Sequence, residues 1–293
     1  MTASKPAIIP CQLLEGTRAR ISRFAEALEH AGPTVGDHGM TKEEFEQSGL
    51  FRAAIERLRG TQAATTAVKR RFMRDVLDHL KKTGEIRDWK FVGSGERYDY
   101  EIAMPAGRIS VVENKGCLDG NNTNIFQRPA QADEFIIWSL CQNPGADPRG
   151  NAWSGLHTRL GAEMISRREK VDAVIIWDMV CGTAGRPCPK LQANPGRATR
   201  IGRGRRVPPP CVYLMPRSVP DPRNNPRPRC ASLEEVKLAR ALLRAFKGDA
   251  ADVVEVLIEA RMKGATVQRR TTFIRQGSEL ARSGWTSIRR ARA

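Results

Sequence analysis

Two acidic residues and one lysine have the types and spacing of a site for a divalent cation. Asp99 lies in the segment RYDYEI, and Glu113 and Lys115 lie two residues apart in SVVENKG. Side chains alternate across a β-strand, so a strand here would place Glu113 and Lys115 on one face. Carboxylate oxygens suit Mg²⁺, and a neighbouring ammonium can stabilise charge on a reacting phosphate. The three residues therefore predict metal-assisted hydrolysis of a phosphate ester.

Short strands must position these residues. Three segments rich in β-branched or aromatic residues are bounded by the turn sequences GSG and PAG, and they predict strands at residues 88–92, 98–104 and 108–113. The second turn is short enough for a hairpin. Such a hairpin would bring Asp99, on its first strand, beside Glu113, on its second.

Helices are predicted on both sides of these strands. Apolar residues at helical spacing predict an amphipathic helix over residues 65–82 that ends at Gly84. A continuous apolar run predicts a buried strand over residues 171–178. The remaining predicted helices are at residues 41–60 (one helix or a pair), 130–141, 156–169, 232–246 and 251–262. The order from residue 65 is thus helix, three strands, helix and strand.

This order, together with Asp99-x13-Glu113-x-Lys115, resembles the PD-(D/E)xK nuclease superfamily and in particular a type II restriction endonuclease. Tyr98 stands where the motif usually has proline. The resemblance implies an α/β fold with a restriction-endonuclease-like core (helix, three-stranded meander, helix, strand), an N-terminal helical extension, a basic Pro-rich loop and C-terminal helices. It also implies that Asp99 and Glu113 bind Mg²⁺, with Mn²⁺ as a possible substitute, and that Lys115 is the catalytic lysine.

Additional acids and a simpler interpretation remain open. Glu101 shares a strand face with Asp99 and is either a further ligand or a salt-bridge partner. An acid of the first core helix can complete such a site, and the candidates are Asp75, Asp78 and Glu56. The simpler interpretation of the motif is a surface hairpin with an ion pair between Glu113 and Lys115.

The charge distribution indicates a polyanionic partner. The chain has 49 Lys and Arg against 32 Asp and Glu, a formal net charge of +17. Residues 183–229 hold 11 basic residues and one acid, residues 261–293 hold nine and one, and the rest is nearly neutral. Concentrated cations of this kind bind the phosphates of nucleic acid. The basic segment around residues 196–210 cannot form the amphipathic helix of a membrane-surface protein. No apolar stretch resembles a signal peptide or membrane span, so a cytoplasmic protein is expected.

Two groups of residues are predicted to contact DNA. Amide and guanidinium side chains pair with base edges and phosphates, although the first group could equally form a polar capping loop. The first group is Asn121, Asn122, Asn124, Gln127 and Arg128. The second group, in the basic loop, is Arg197, Arg200, Arg203, Arg205 and Arg206.

Four segments are predicted: an N-terminal helical extension (1–62), a nuclease core (63–182), a basic Pro/Arg-rich loop (183–230) and C-terminal helices with a basic tail (231–293). The loop, which contains 11 prolines, is expected to be irregular, and residues 269–293 are expected to lack regular structure until bound.

Free thiols are expected rather than disulfides. A zinc site of Cys181, Cys188, Cys211 and Cys230 stays open, although it lacks the usual short ligand pairs.

The favoured hypothesis is a Mg²⁺-dependent endonuclease that cleaves double-stranded DNA as a homodimer, with a cognate DNA methyltransferase acting separately. Two alternatives are kept. One is a DNA- or RNA-binding protein without catalysis, which the charge distribution supports equally well. The other is a repair or recombination nuclease of the same superfamily.

Overall fold

A mixed β-sheet of ten strands, flanked by helices, lies at the centre of the computed structural model, which is mixed α/β. The structure describes residues 7–11, 13–34, 38–62, 66–93, 98–116, 127–141, 143 and 145–288. Its strands are β1 Asp88–Phe91, β2 Tyr100–Ala103, β3 Ile109–Lys115, β4 Glu134–Ser139, β5 Ala173–Ile176, β6 Thr199–Ile201, β7 Arg205–Val207, β8 Cys211–Leu214, β9 Val254–Lys263, β10 Thr266–Arg275, β11 Ser278–Arg282 and β12 Thr286–Ser287.

The strand order in the main sheet is β1-β2-β3-β4-β5-β8-β9-β10-β11, and β12 pairs with β10. Strands β1, β2 and β3 form an antiparallel meander. Strands β3, β4 and β5 are parallel to one another. Strands β6 and β7 form a separate hairpin outside this sheet. The sheet therefore combines strands from residues 88–176 with strands from the basic loop and the C-terminal segment.

Four α-helices precede β1, and the other α-helices lie between later strands of the chain. The helices are α1 Glu15–Ala31, α2 Lys42–Ser48, α3 Leu50–Gln62, α4 Thr66–Lys82, α5 Pro148–Trp153, α6 Gly161–Arg167, α7 Pro189–Ala193 and α8 Lys237–Ala245. A π-helical segment, Ser154–Leu160, joins α5 to α6.

Helix α4 and the meander agree with the sequence predictions. The apolar face of α4 is buried, with Phe72, Val76 and Leu77 fully inaccessible, because residues three and four apart share one side of a helix. The predicted helix pair is also present, and Thr41 begins α2 with a capping box to Glu44. These elements could be predicted because their patterns are local in sequence.

Two predicted helices are strands, and these predictions were wrong. Residues 130–141 contain β4, whose six residues are all buried between the parallel strands β3 and β5. An apolar run buried on both faces has no periodicity that separates helix from strand. Residues 251–262 contain β9, in which buried and exposed residues alternate at first. That alternation and its β-branched residues favour a strand.

The basic segments are also more ordered than the sequence predicted. Within the Pro-rich loop, β8 lies in the main sheet with all four residues buried, and β6 pairs with β7. The tail supplies β10, β11 and β12 up to residue 287, and α8 is the single α-helix among the described residues of the C-terminal segment. Proline is tolerated here because the Pro-Pro-Pro run precedes β8 and does not interrupt its hydrogen bonds.

One buried carboxylate connects the sheet to α8. Glu134, at the start of β4, is 1% exposed. It accepts hydrogen bonds from the backbone nitrogens of Lys237 (2.6 Å) and Leu238 (3.0 Å) and from Ser110 Oγ (2.8 Å). The first backbone N–H groups of a helix have no partner within the helix, so an acid from elsewhere can cap it. Glu134 thereby fixes the position of α8 on the sheet.

Candidate active site

Pairing of β2 with β3 brings Asp99 close to Glu113. In this antiparallel register Tyr100 lies across from Val112. The backbone nitrogen of Asp99, immediately before β2, donates to the Val112 oxygen at 3.0 Å, one residue out of that register. Asp99 thus lies beside the end of β3, where its charge acts on Glu113. The hairpin geometry expected from the sequence is present.

Hydrogen bonds join the three candidate residues into one group. Lys115 Nζ donates to Glu113 Oε1 at 2.5 Å, and each side chain is 15% exposed. The backbone nitrogen of Asn114 donates to Asp99 Oδ2 at 2.7 Å. Within the described residues, these bonds leave Asp99 Oδ1 and Glu113 Oε2 without a hydrogen-bond partner. Two neighbouring carboxylates therefore each have one oxygen available for a ligand.

The electrostatics of the pair favour a bound cation. Burial raises the pKa of Asp99. The hydrogen bond from the Asn114 backbone N–H lowers it, and so do the nearby positive charges of Lys115, Arg70 and Lys69. Burial also raises the pKa of Glu113, the hydrogen bond from Lys115 lowers it, and the charge of Asp99 raises it further. Partly desolvated carboxylates that repel each other are stabilised by a positive charge between them.

Two of those cations, Lys69 and Arg70 of α4, were missed by the sequence analysis. Lys69 Nζ lies near the end of β3, since a Cβ added to Gly116 would be 3.9 Å from it. The Arg70 guanidinium lies over the Phe91 ring, 4.2 Å from its centre. A signal was available, because α4 has no acid in its first turn and places cations there. The helix dipole disfavours that arrangement.

The additional acids are placed apart from the pair. Glu101 binds Lys90 Nζ at 2.7 Å and accepts from Tyr98 Oη at 3.0 Å, so it has the contacts of the salt-bridge alternative. Asp78 Oδ1 accepts from Trp89 Nε1 at 3.0 Å. Asp75 faces the β6–β7 hairpin. The side chain of Glu56 lies outside the described residues.

No cluster of three or more His, Cys, Asp or Glu side chains able to hold a metal ion occurs among the described residues. The open zinc site therefore gains no support. Three of the four proposed ligands, Cys181, Cys188 and Cys211, lie beside Cys11. Their hydrogen bonds with the Cys11 thiol raise its pKa. Cys230 is buried and free of a disulfide. Cys141 is disulfide-bonded, which corrects the expectation of free thiols for that residue.

The predicted DNA-contacting residues have different surroundings. Asn121, Asn122 and Asn124 lie outside the described residues, and Gln127 is exposed. Arg128 is bonded internally: its Nη1 donates to Asp172 Oδ2 at 2.8 Å and its Nε to the Ala132 oxygen at 3.2 Å.

The loop arginines also differ among themselves. Arg197 Nη2 donates to Asp252 Oδ2 at 2.8 Å, so this guanidinium is bonded within the protein. Arg200 and Arg206 are exposed and face each other across the β6–β7 hairpin. Arg203 and Arg205 line a cavity against α4. Four of the five loop arginines thus belong to one hairpin.

No family model, curated protein or solved structure matches this chain. None of the helices in the described part of the chain has both the length and the apolar character needed to cross a bilayer. The functional interpretation therefore rests on the geometry and chemistry of the residues themselves.

Proposed function

We propose that this chain is a Mg²⁺-dependent DNA endonuclease of the PD-(D/E)xK type. The main support is the half-buried pair of Asp99, immediately before β2, and Glu113 on the adjacent β3, with Lys115 hydrogen-bonded to Glu113 at 2.5 Å. The order of α4, the meander β1–β3, and the parallel strands β4 and β5 is compatible with a restriction-endonuclease-like core. Phosphodiester hydrolysis needs a cation ligand set and a positive charge near the reacting phosphate, and this group has both.

The residues present fit Mg²⁺ better than a softer metal. Both available atoms are carboxylate oxygens, which are hard ligands, and Mg²⁺ is commonly held by one or two carboxylates together with substrate phosphates and water. Asp99 and Glu113 would hold the ion, with Mn²⁺ as a possible substitute. When bound, Mg²⁺ supplies polarisation of a phosphoryl oxygen and a lower pKa for bound water.

The protein's own residues would orient the catalytic groups and neutralise negative charge on the phosphate. Glu113 holds Lys115 in position through their hydrogen bond, and the Lys115 ammonium would stabilise negative charge that develops on the phosphate. The Asn114 backbone N–H fixes the orientation of Asp99. Lys69 and Arg70 add positive charge on the helix side of the pair and would attract the DNA backbone.

Double-stranded DNA is the proposed substrate, and site-specific type II restriction is the proposed role. Concentrated basic residues on the β6–β7 hairpin, including the exposed Arg200 and Arg206, support a polyanionic substrate. Action as a homodimer, with a separate DNA methyltransferase as the cognate partner, belongs to this proposal. A repair or recombination nuclease would use the same residues and differ in specificity.

A second candidate is a nucleic-acid-binding protein without catalysis. The observation that favours it is the ion pair of Lys115 with Glu113, because each residue there satisfies the other without any metal. The positively charged surface serves this candidate equally well.

A plasmid digest distinguishes these candidates. Supercoiled plasmid is incubated with the protein and Mg²⁺, beside an EDTA control and the variant Asp99→Asn. Discrete fragments in the Mg²⁺ sample alone support restriction, and a smear supports an unspecific or repair nuclease. If plasmids of many different sequences stay intact in every sample, the binding protein is the better supported candidate.

Acidification is expected to abolish cleavage at a higher pH than ordinary carboxylates would require. Burial raises the pKa of both Asp99 and Glu113. The unprotonated form that can hold a cation is populated above the raised pKa and is lost as the pH falls through it. Initial rates would be measured from about pH 4 to about pH 8. Higher Mg²⁺ concentration should shift the loss to lower pH, because the cation competes with the proton.

DNA binding measured at each pH is the control for this profile. A rate that stays constant until the pH reaches 4.5, the ordinary value for glutamate, would contradict the assignment.

A further inference from the structure

A cavity lined mainly by arginine lies between α4 and the β6–β7 hairpin. Its volume is about 650 Å³. The lining residues are Arg71, Arg74, Asp75, Arg203 and Arg205. Two of these were predicted to contact DNA, and the three from α4 were not.

The local structure explains how these residues converge. Arg71, Arg74 and Asp75 are three and four residues apart on α4, so they share one face of the helix. The hairpin turn, Gly202-Arg203-Gly204, carries positive φ at both glycines. A Cβ at Gly202 would lie 2.4 Å from Asp75 Oδ2. Another residue at Gly202 would be strained by the positive φ and would displace the Asp75 carboxylate, so glycine favours both this turn and its close approach to α4.

Buried apolar residues hold the hairpin in place. Ile201 is 3% exposed and Val207 is 1% exposed, and both belong to the main hydrophobic core. The Arg205 guanidinium lies 5.5 Å from the centre of the buried Phe72 ring of α4, which favours a fixed position for the cation. The cavity is thus built by packed structure.

Positive charge in this cavity is not compensated within the described residues. Four guanidinium groups face one carboxylate, and none of the four forms an ion pair or side-chain hydrogen bond with another described residue. Other arginines, such as Arg229 and Arg270, do form such pairs, with Glu235 and Glu259. In addition, Arg205 Nη1 is buried without a hydrogen-bond partner. A buried donor and repelling cations are costly unless an anion binds between them.

Phosphate is the anion that this arrangement fits. Guanidinium groups donate pairs of parallel hydrogen bonds to phosphate oxygens, and arginine is favoured where such planar recognition matters. The net charge of the lining, three positive, exceeds that of one phosphate and would extend the attraction to its neighbours along a strand.

We propose that the cavity between α4 and the β6–β7 hairpin binds a phosphate of the nucleic-acid backbone and anchors it against α4. This inference rests on the proposed nucleic-acid substrate, but it is independent of cleavage. Lys69 and Arg70 on the same helix lie near Asp99. An anchored strand would therefore run along α4 towards the candidate active site.

The salt dependence of binding tests the proposal. Affinity for a fluorescent DNA duplex would be measured in EDTA, without cleavage, at several KCl concentrations for the wild type, Arg71→Gln and Arg205→Gln. Each substitution should weaken binding about tenfold at low salt. Each should also reduce the slope of log K against log [KCl] by about 1, since one phosphate contact is lost. The matched control is Arg87→Gln, an exposed arginine outside the cavity, which should change neither quantity.

Asp75→Asn gives a second test with the opposite sign. Removal of the single carboxylate of the cavity should tighten binding severalfold and leave the thermal unfolding temperature unchanged, because Asp75 has no ion pair among the described residues. Weaker binding by this variant would overturn the proposal. So would cavity variants that unfold like the wild type and keep its salt slope.

Competition by inorganic phosphate separates the possible sources of the ligand. Stabilisation of the wild type by phosphate, with an unchanged salt slope for duplex binding in the cavity variants, would overturn the assignment to nucleic-acid backbone. A protein that binds duplex through the cavity but cleaves nothing would support this inference and contradict the nuclease. A protein that cleaves duplex, but whose salt slope is unchanged by Arg71→Gln and Arg205→Gln, would support the nuclease and contradict this inference.

Discussion

The variants Lys115→Ala and Asp99→Ala are expected to lose Mg²⁺-dependent cleavage, by at least about 100-fold to 1,000-fold in rate, while they keep DNA binding. Loss of one preorganised group that stabilises the transition state typically costs this much. Lys115 donates to Glu113, and Asp99 accepts from the Asn114 backbone nitrogen, so both lie in the hydrogen-bonded group around Glu113. Single-turnover cleavage rates and duplex affinity in EDTA would be measured for each variant.

Milder variants separate charge from structure at the same positions. Asp99→Asn keeps an oxygen that can accept from the Asn114 backbone nitrogen, so it removes the negative charge with little change to the hairpin. Lys115→Arg keeps the positive charge but changes the geometry of the donor. Asp99→Asn should be as inactive as Asp99→Ala, and Lys115→Arg should retain more activity than Lys115→Ala.

Lys90→Ala is the matched control for Lys115→Ala. Lys90 lies on the same meander and pairs with Glu101 at 2.7 Å, but its side chain is 65% exposed. An exposed ion pair contributes little, so this variant should cleave at the wild-type rate. Full activity of Lys115→Ala, or an equal loss in Lys90→Ala, would refute the assignment of the active site.

Arg186→Met is expected to lower the free energy of unfolding by about 3–5 kcal/mol, the usual cost of leaving one member of a buried ion pair alone. Arg186 and Asp178 form an ion pair in which the side chains are only 1% and 2% exposed. Arg186 Nη2 also donates to the backbone oxygens of Asn143 at 2.7 Å and Ala146 at 3.1 Å. This residue thus joins the segment after β5 to the segment before α5.

The state of Asp178 explains the size of this effect. Burial raises its pKa to about 7, and Arg186 acts in the opposite direction through its charge and hydrogen bond. Without Arg186, the carboxylate would be buried without its partner and would take up a proton or open the fold. The change in the free energy of unfolding is measured by denaturant unfolding at neutral pH, from the shift in the denaturant midpoint at constant m-value.

Arg240→Met provides the comparison for Arg186→Met. Arg240 pairs with Glu234, whose side chain is 71% exposed, so the loss should be at most about 1 kcal/mol. Equal destabilisation of the two variants would contradict the role assigned to burial of Arg186.

The sequence by itself determined the local elements of the candidate site. Helix α4, the three-stranded meander and the common strand face of Glu113 and Lys115 follow from patterns with periods of 3.6 and two residues. The turn Pro105–Gly107 is read from residue types alone, and it fixes the hairpin that brings Asp99 to Glu113. All the contacts needed for these predictions lie within about 50 residues of chain.

Other features were decided only by the tertiary structure. Strand β4 has the apolar content of a buried helix, and its conformation follows from the parallel neighbours β3 and β5. Arg128 reads as a DNA contact in the sequence, yet Asp172, 44 residues away, takes up its Nη1 donor. Lys69 and Arg70 join the site because their side chains, on the first turns of α4, come near the end of β3 and Asp99.

The arginine cavity is the feature that depends most clearly on the tertiary structure. Arg71 and Arg205 are separated by more than 130 positions in the sequence, and no periodicity connects them. Their approach depends on the burial of Ile201 and Val207 in the core and on the absence of a side chain at Gly202, where a Cβ would meet Asp75. Sequence periodicity reports which face of an element is apolar, whereas packing of whole elements selects which polar faces meet.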